Sequence, residues 1–383
     1  MTCWASSSNK GALSVALLLA ACAQARPRAS PAALGARSVA VLPLSGLSGG
    51  PAPLKDVRSD LESALRQRGV AVVPALEVEE FLARHRLRWT GGVNADSAEA
   101  ARRELGASAL LIAAVDLYQP NAPPRFGLRA RLISTFPEPR VLWADAVALT
   151  GDEAPGLFDL GLVSEVQDLQ SKAVARLSSS LGAFLAGSRA RGSACSGGGR
   201  FAPQVKYRSS GLKTSGASIV VLPFVNETSR RNAGDLVALE FLRKLTASGV
   251  QVVEPGLARD ELLKFRLVTD QGISLDTARV VMELLEADFV LTGTVRDFQD
   301  PSTSEGDPVV QFTVLMLDRK NDEVVWHSSS YHRGGDGVLF FDAGRVGSVL
   351  DLTCRMVAST VEPMLQGAKP ASAAQPLREA GGR

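Results

Sequence analysis

The chain is 383 residues long, with 45% hydrophobic and 21% charged residues and a formal net charge of +2. That length is too great for one compact core and suits two domains of about 150 residues, while the ordinary composition excludes a wholly disordered chain. The small net charge excludes the clustered basic excess of a nucleic-acid-binding surface, so no nucleic acid is expected as a partner.

Lys10 precedes an apolar run, Ala12 to Ala21, that is long enough for a secretory signal and too short to span a bilayer. It ends in Leu19-Ala20-Ala21-Cys22, which resembles the bacterial lipobox. The resemblance implies a signal peptide at residues 1–21, cleavage before Cys22 and acylation of its sulfur. Each methylene buried in a leaflet contributes about 0.8 kcal/mol, so an acylated Cys22 would hold the chain to a membrane. Ala23, where an aspartate would retain a lipoprotein in the inner membrane, points to the periplasmic face of the outer membrane. Residues 22–37, rich in proline, alanine and arginine, read as a flexible tether.

From Ser38 the sequence repeats itself. Ser38 and Ser218, Gly69 and Gly249, Asp96 and Asp276, and Ala107 and Ala287 all stand 180 apart, and no gap is needed until the loop after Tyr118 and Phe298. Trp143 then answers Trp326. Two copies of one domain are expected, at 38–186 and 218–366.

Each copy opens on a β-branched run closed by proline, Val39 to Pro43 and Ile219 to Pro223, which reads as a buried strand. Val57, Leu61 and Leu65, answered by Val237, Phe241 and Leu245, form one helical face that Gly69 and Gly249 terminate. The valine runs that follow are second strands, and a short helical segment ends around Leu87 and Leu267. Asp96 and Asp276 are expected to cap a further helix, with Ala98, Ala101 and Leu105 against Ala278, Val281 and Leu285 as its buried stripe. The unbroken apolar runs Ala109–Val115 and Phe289–Val295 suit central strands covered on both faces. Val310, Phe312, Val314 and Met316 alternate with Gln311, Thr313 and Leu315, as in a hairpin with one wetter face. Each copy closes on a long amphipathic helix, 163–185 and 346–365. The fold class is α/β with a mixed sheet, in the order strand, helix, strand, helices, three strands, helix.

Residues 187–217 read as a loose Gly/Ser/Arg linker and 367–383 as a disordered tail. With Cys3 removed and Cys22 acylated, Cys195 and Cys354 remain. An oxidising compartment permits their pairing; on a stripe with Leu350, Val357 and Val361, however, Cys354 reads instead as a small core hydrophobe.

The second copy, with LPFVNET, GVQVVE, LEADFVLTGTV and EVVW in order, resembles the periplasmic α/β domain shared by the N-terminal domain of TolB, the curli-secretion lipoprotein CsgG and the penicillin-binding-protein activator LpoB. The first copy shows the pattern more weakly, with Ser45-Gly46-Leu47 in place of Asn-x-Thr. The resemblance implies an envelope lipoprotein that contacts other proteins, and it marks Pro223, Phe224, Asn226 and Thr228 as the candidate interaction motif. Asn226 and Thr228 are expected to fix the following turn through side-chain hydrogen bonds. No β-propeller follows, and no inserts suit a transmembrane barrel.

Chemistry-bearing patterns are few. His85 reads as exposed surface; His327 and His332, five apart, fall on opposite faces of a strand and make no metal site. Gly211 to Ser215 lacks the phosphate-loop spacing, and no strand is expected to lead into it. Asp297, Asp300, Glu305 and Asp307 do not match a calcium loop and read as a solvated acidic tip. No catalytic residue, metal or cofactor is expected. The function expected is therefore a non-enzymatic, lipid-anchored periplasmic protein that binds envelope partners in assembly, secretion or regulation of peptidoglycan synthesis. The alternative is a small-ligand or glycan-binding module that closes the groove between its copies by a hinge.

Overall fold

The structure, a computed structural model, describes residues 38–366 except 89, 153–161, 189–194, 196–197, 267–273, 302–305 and 339–343. Cys22 and Glu305, with the rest of the leader, tether and tail, lie outside the described residues.

The first copy runs β1 (Ser38–Val41), β2 (Ser45–Gly46), α1 (Leu54–Gln67), α2 (Ala75–Arg84), α3 (Ala95–Glu104), β3 (Ala107–Gln119), β4 (Arg125–Ser134), β5 (Val141–Thr150) and α4 (Val166–Leu185). After β6 (Val205–Arg208) the second runs β7 (Ser218–Val221), β8 (Val225–Asn226), α5 (Ala233–Ala247), β9 (Gln251–Val252), α6 (Pro255–Lys264), α7 (Leu275–Leu284), β10 (Phe289–Gln299), β11 (Val309–Asp318), β12 (Glu323–Arg333) and α8 (Val349–Leu365). The first sheet has the order β1-β3-β4-β5, with β2 also on β3; the second is β6-β12-β11-β10-β7-β9, with β8 on β10. In each, the opening strand joins parallel to the long central strand and the later strands add antiparallel.

The duplication extends to irregular features. Val41 sits against Leu111 and Val221 against Leu291, both pairs 180 apart. The register slips once between Val115 and Leu117, and again between Val295 and Asp297. Gly151 N donates to Pro124 O and Val163 N to Gly151 O, while Gly334 N donates to Pro308 O and Val346 N to Gly334 O. Trp143 and Trp326 are both fully buried. Conserving bulges and loop closures as well as strands requires the same backbone path twice.

The helix stripes lie where the spacing places them. Val57, Leu61 and Leu65, with Val237, Phe241 and Leu245, are all within 1% of full burial. Gly69 and Gly249 end α1 and α5 at φ +77° and +81°, the left-handed region that glycine enters without steric cost. The third helices, however, are not capped by Asp96 and Asp276. Asn94 Oδ1 accepts from Ser97 N at 3.0 Å, and Ser274 Oγ from Thr277 N at 3.1 Å. The aspartates stand inside the first turn, where their charge suits the helix dipole.

The stretch between the copies is tied down at several points. Phe201 is buried, Arg200 Nη2 donates to Gly334 O at 2.9 Å, and β6 adds an antiparallel edge strand to β12. Cys195 and Cys354 form a disulfide, with Cα atoms 5.9 Å apart. Cys354 is buried on α8 as its stripe requires, but the connecting chain returns along that helix, where Gly198 N donates to Ser359 Oγ, and so brings Cys195 to it. Periodicity within α8 carried no information about that return.

Candidate functional site

The two sheets differ in what covers them. On β4 nine successive residues are buried, whereas on β11 burial alternates strictly from Val309 to Met316. One face of the first sheet packs on α1 and α4, through Val57, Leu61, Leu128, Trp143 and Leu177. Its other face packs against the second copy, and a single apolar cluster runs from Ile112, Ile133 and Ala144 to Leu236 and Leu242 on α5. Helix α5 is thus enclosed between its own sheet and the sheet of the other copy. This corrects the hinge expected of the groove, because a shared core cannot open without exposing apolar surface on both sides.

Charges buried at this junction pair both within each copy and across it. Arg129 Nε donates to Asp116 Oδ2 at 2.6 Å and lies 4.0 Å from Glu240 on α5. Arg243 Nε donates to Glu240 Oε1 at 2.9 Å, and its Nη1 stands 3.9 Å from Asp145 on β5. Arg131 forms two bonds to Glu254, 3.0 and 2.9 Å. Burial pushes Asp116 above the ordinary aspartate range despite Arg129. Burial also disfavours the charge of Glu240, but Arg243 and Arg129 outweigh it and hold that carboxyl below its ordinary value.

The turn after β8 faces this junction. Asn226 Oδ1 accepts from Thr228 N at 3.1 Å and from Thr228 Oγ1 at 2.8 Å, and Asn226 Nδ2 donates to Arg230 O at 2.8 Å. The turn aims Arg230, whose Nη2 donates to Asp116 O in the first copy at 2.9 Å. Phe224 stacks on Phe241 with ring centroids 5.6 Å apart. Its seat lies over Gly293, where a Cβ would meet Thr313 O and would come within 2.5 Å of the Phe224 ring. At the matching positions the first copy has Leu44 and Ala113, a smaller side chain over a larger neighbour. Pro223, Phe224 and Asn226 line a cavity of about 1090 Å³ between the copies; Thr228 is not among its lining residues.

The face of the second sheet that corresponds to the covered face of the first is open. Thr292, Thr294, Gln311, Thr313, Leu315 and His327 are half-buried on it, and Val205, Tyr207 and Tyr331 are 56%, 53% and 39% exposed. Strand β10 is therefore covered on both faces only at its start, unlike β3.

Three solved structures resemble part of the chain, each over less than half of its length. No protein-family model matches the sequence, and no curated protein does. A PelC dodecamer structure from Paraburkholderia phytofirmans is 19% identical, covers 42% of this chain and 94% of its own, and has a TM-score of 0.30. Lipoprotein GNA1162 from Neisseria meningitidis is 21% identical over 38% of this chain and 99% of its own, with a TM-score of 0.27. The LpoB C-terminal domain from Salmonella enterica is 16% identical over 30% and 82%, with a TM-score of 0.25.

The remaining sequence candidates resolve as structural groups. His85 Nε2 lies 2.7 Å from Glu104 Oε1 in a surface pair. His332 is buried, with Nε2 2.9 Å from Ala202 O, while His327 lies on the opposite, open face. Strand β6 does lead toward Gly211–Ser215, but that segment continues into β7 and provides no helix N-terminus for a phosphate. Asp300 is not solvated: its Oδ1 accepts from Val349 N at 3.0 Å, at the start of α8, and Arg125 of the first copy stands 3.5 Å away. The junction residues Asp116, Arg129, Arg131, Glu240 and Arg243 had not been singled out. Their signal was available, since arginines alternating with Leu128, Ala130 and Leu132 in a strand require acids on whatever covers that face.

Proposed function

We propose that the chain is a non-enzymatic lipoprotein of the bacterial cell envelope, anchored through acylated Cys22 to the periplasmic face of the outer membrane, that binds a protein partner on the open face of its second sheet. One observation carries the partner reading: the same face of the same domain, in the first copy, is occupied by the helical layer of a folded neighbour. The open face offers a mixed surface of hydroxyls with Leu315, Tyr207 and Tyr331, and aromatic side chains recur at protein interfaces. The lipobox supports export and anchoring, and the Cys195–Cys354 disulfide accords with an oxidising compartment.

Photo-cross-linking in cells tests the partner reading. A cross-linkable residue at Tyr207 or Tyr331 should yield a discrete adduct with an envelope protein, and one at Ser59 on the outer side of α1 should not. Adducts from Ser59 alone would overturn the assignment of the face. Anchoring is separate: a Cys22→Ser chain should lose palmitate labelling and leave the membrane fraction.

A further inference from the structure

We propose that the cavity between the copies binds a single-chain anionic amphiphile, its tail between the leucines of the two walls and its carboxylate or phosphate head on the arginines of residues 86–88. The cavity, about 1090 Å³, is slightly larger than the range of about 300–1,000 Å³ usual for small-molecule sites. The apolar part of its wall belongs to both copies, Leu82 and Leu87 from the first and Leu239, Leu262 and Leu263 from the second, while Arg129, Arg131, Asp145 and Arg243 line its polar part. Leu263 is 58% exposed, which puts it at the mouth and leaves unpaired apolar surface there.

The charge at the mouth is positive. Arg88 and Arg259 both line the cavity and are exposed. A second cavity of about 420 Å³ shares Leu82, Leu87 and Arg88 with the first and adds Arg86, so two arginines flank a leucine that faces both cavities. Asp235 also lines the main cavity; desolvation by the cleft walls pushes its carboxyl up, against the pull of Arg259, and this lessens the repulsion an anion would meet. Apolar walls over a cationic rim match an amphiphile with one tail and one anionic head. A sugar would find few aromatic faces on which to stack, since the chain is 5% aromatic. The proposal rests on the cavity alone and is independent of the partner assigned to the open sheet face.

The test uses the full chain with Cys22→Ser, so that no acyl group of its own competes. Binding of palmitate, lysophosphatidate and neutral monopalmitoylglycerol is measured by native mass spectrometry and by displacement of a fluorescent fatty acid. Saturable one-to-one binding of the anionic probes is expected; a preference between them would identify a free fatty acid or a lipid headgroup as the source. Arg86→Ala with Arg88→Ala should weaken the anionic probes by about tenfold or more and leave the neutral one unchanged. Leu263→Asp, at an exposed position where the fold tolerates change, should weaken all three. Absence of saturable binding, equal affinity for the neutral probe, or indifference to both variants would overturn the proposal.

Discussion

Arg131 of β4 and Glu254 at the start of α6 form a two-bonded ion pair between the copies, and Glu254 is wholly buried. Removing one partner strands the other charge away from water. Arg131→Met should therefore lower unfolding stability by about 3–5 kcal/mol, and the double variant with Glu254→Gln should recover part of that loss. Urea denaturation of the wild type, both single variants and the double variant checks this, and additive losses would mean that the pair is not coupled.

Asp300 sets a pH dependence. Burial raises its pKa more than Val349 N–H, Arg125 and Arg230 lower it. The native state thus keeps this proton to higher pH than the unfolded chain does. Its contribution to stability is greatest below the ordinary aspartate pKa of about 3.9 and is lost as pH rises through the raised native value. Asp300→Asn retains an acceptor for Val349 N–H, so it should remove that decline and leave α8 in place. Denaturation midpoints across the acid range for both proteins measure the difference.

The Cys195–Cys354 bridge spans 159 residues. In the chain-entropy model a loop of that length is worth about 5 kcal/mol, and measured bridges typically give 2–4 kcal/mol. Cys195→Ser should cost an amount in this range, and a reductant should destabilise the wild type while leaving the variant unaffected.

Gly293 and Phe224 should behave as a matched pair. Gly293→Ala crowds Thr313 O as well as the Phe224 ring and should destabilise by about 1–3 kcal/mol or more, of which only the ring contact can be relieved at Phe224. Adding Phe224→Leu reproduces the Leu44–Ala113 combination of the first copy and should restore part of the melting temperature.

Much of the fold was legible because it is written twice. Strands β1 and β7, the α1 and α5 stripes and the final hairpins follow from spacing alone, and the 180-residue offset aligns them. The helix caps were missed by two residues because both Asn94 and Asp96 are competent caps by type, and only the chain's entry angle chooses between them. Asp300 reads as solvated, and the pairing of Cys195 stays open in the sequence, for a related reason: each is defined by a partner more than 45 residues away, and no local period encodes that. The turn at Asn226 and Thr228 was legible because Asx chemistry is local, but its consequence, the reach of Arg230 to Asp116, depends on how the copies dock.

The position of α5 between two sheets has a consequence for the history of the chain. A duplicated domain ordinarily leaves one copy free to drift while the other keeps the work. Here Glu240 and Arg243 of the second copy answer Arg129 and Asp145 of the first, so removing a charge on one side leaves a buried charge on the other with less to balance it. The copies are therefore one folding unit, since neither can expose its side of the shared core without cost. Among the described residues nothing packs on the open face around Thr313 and Tyr331, so what holds that face to its chemistry is the partner proposed to dock there.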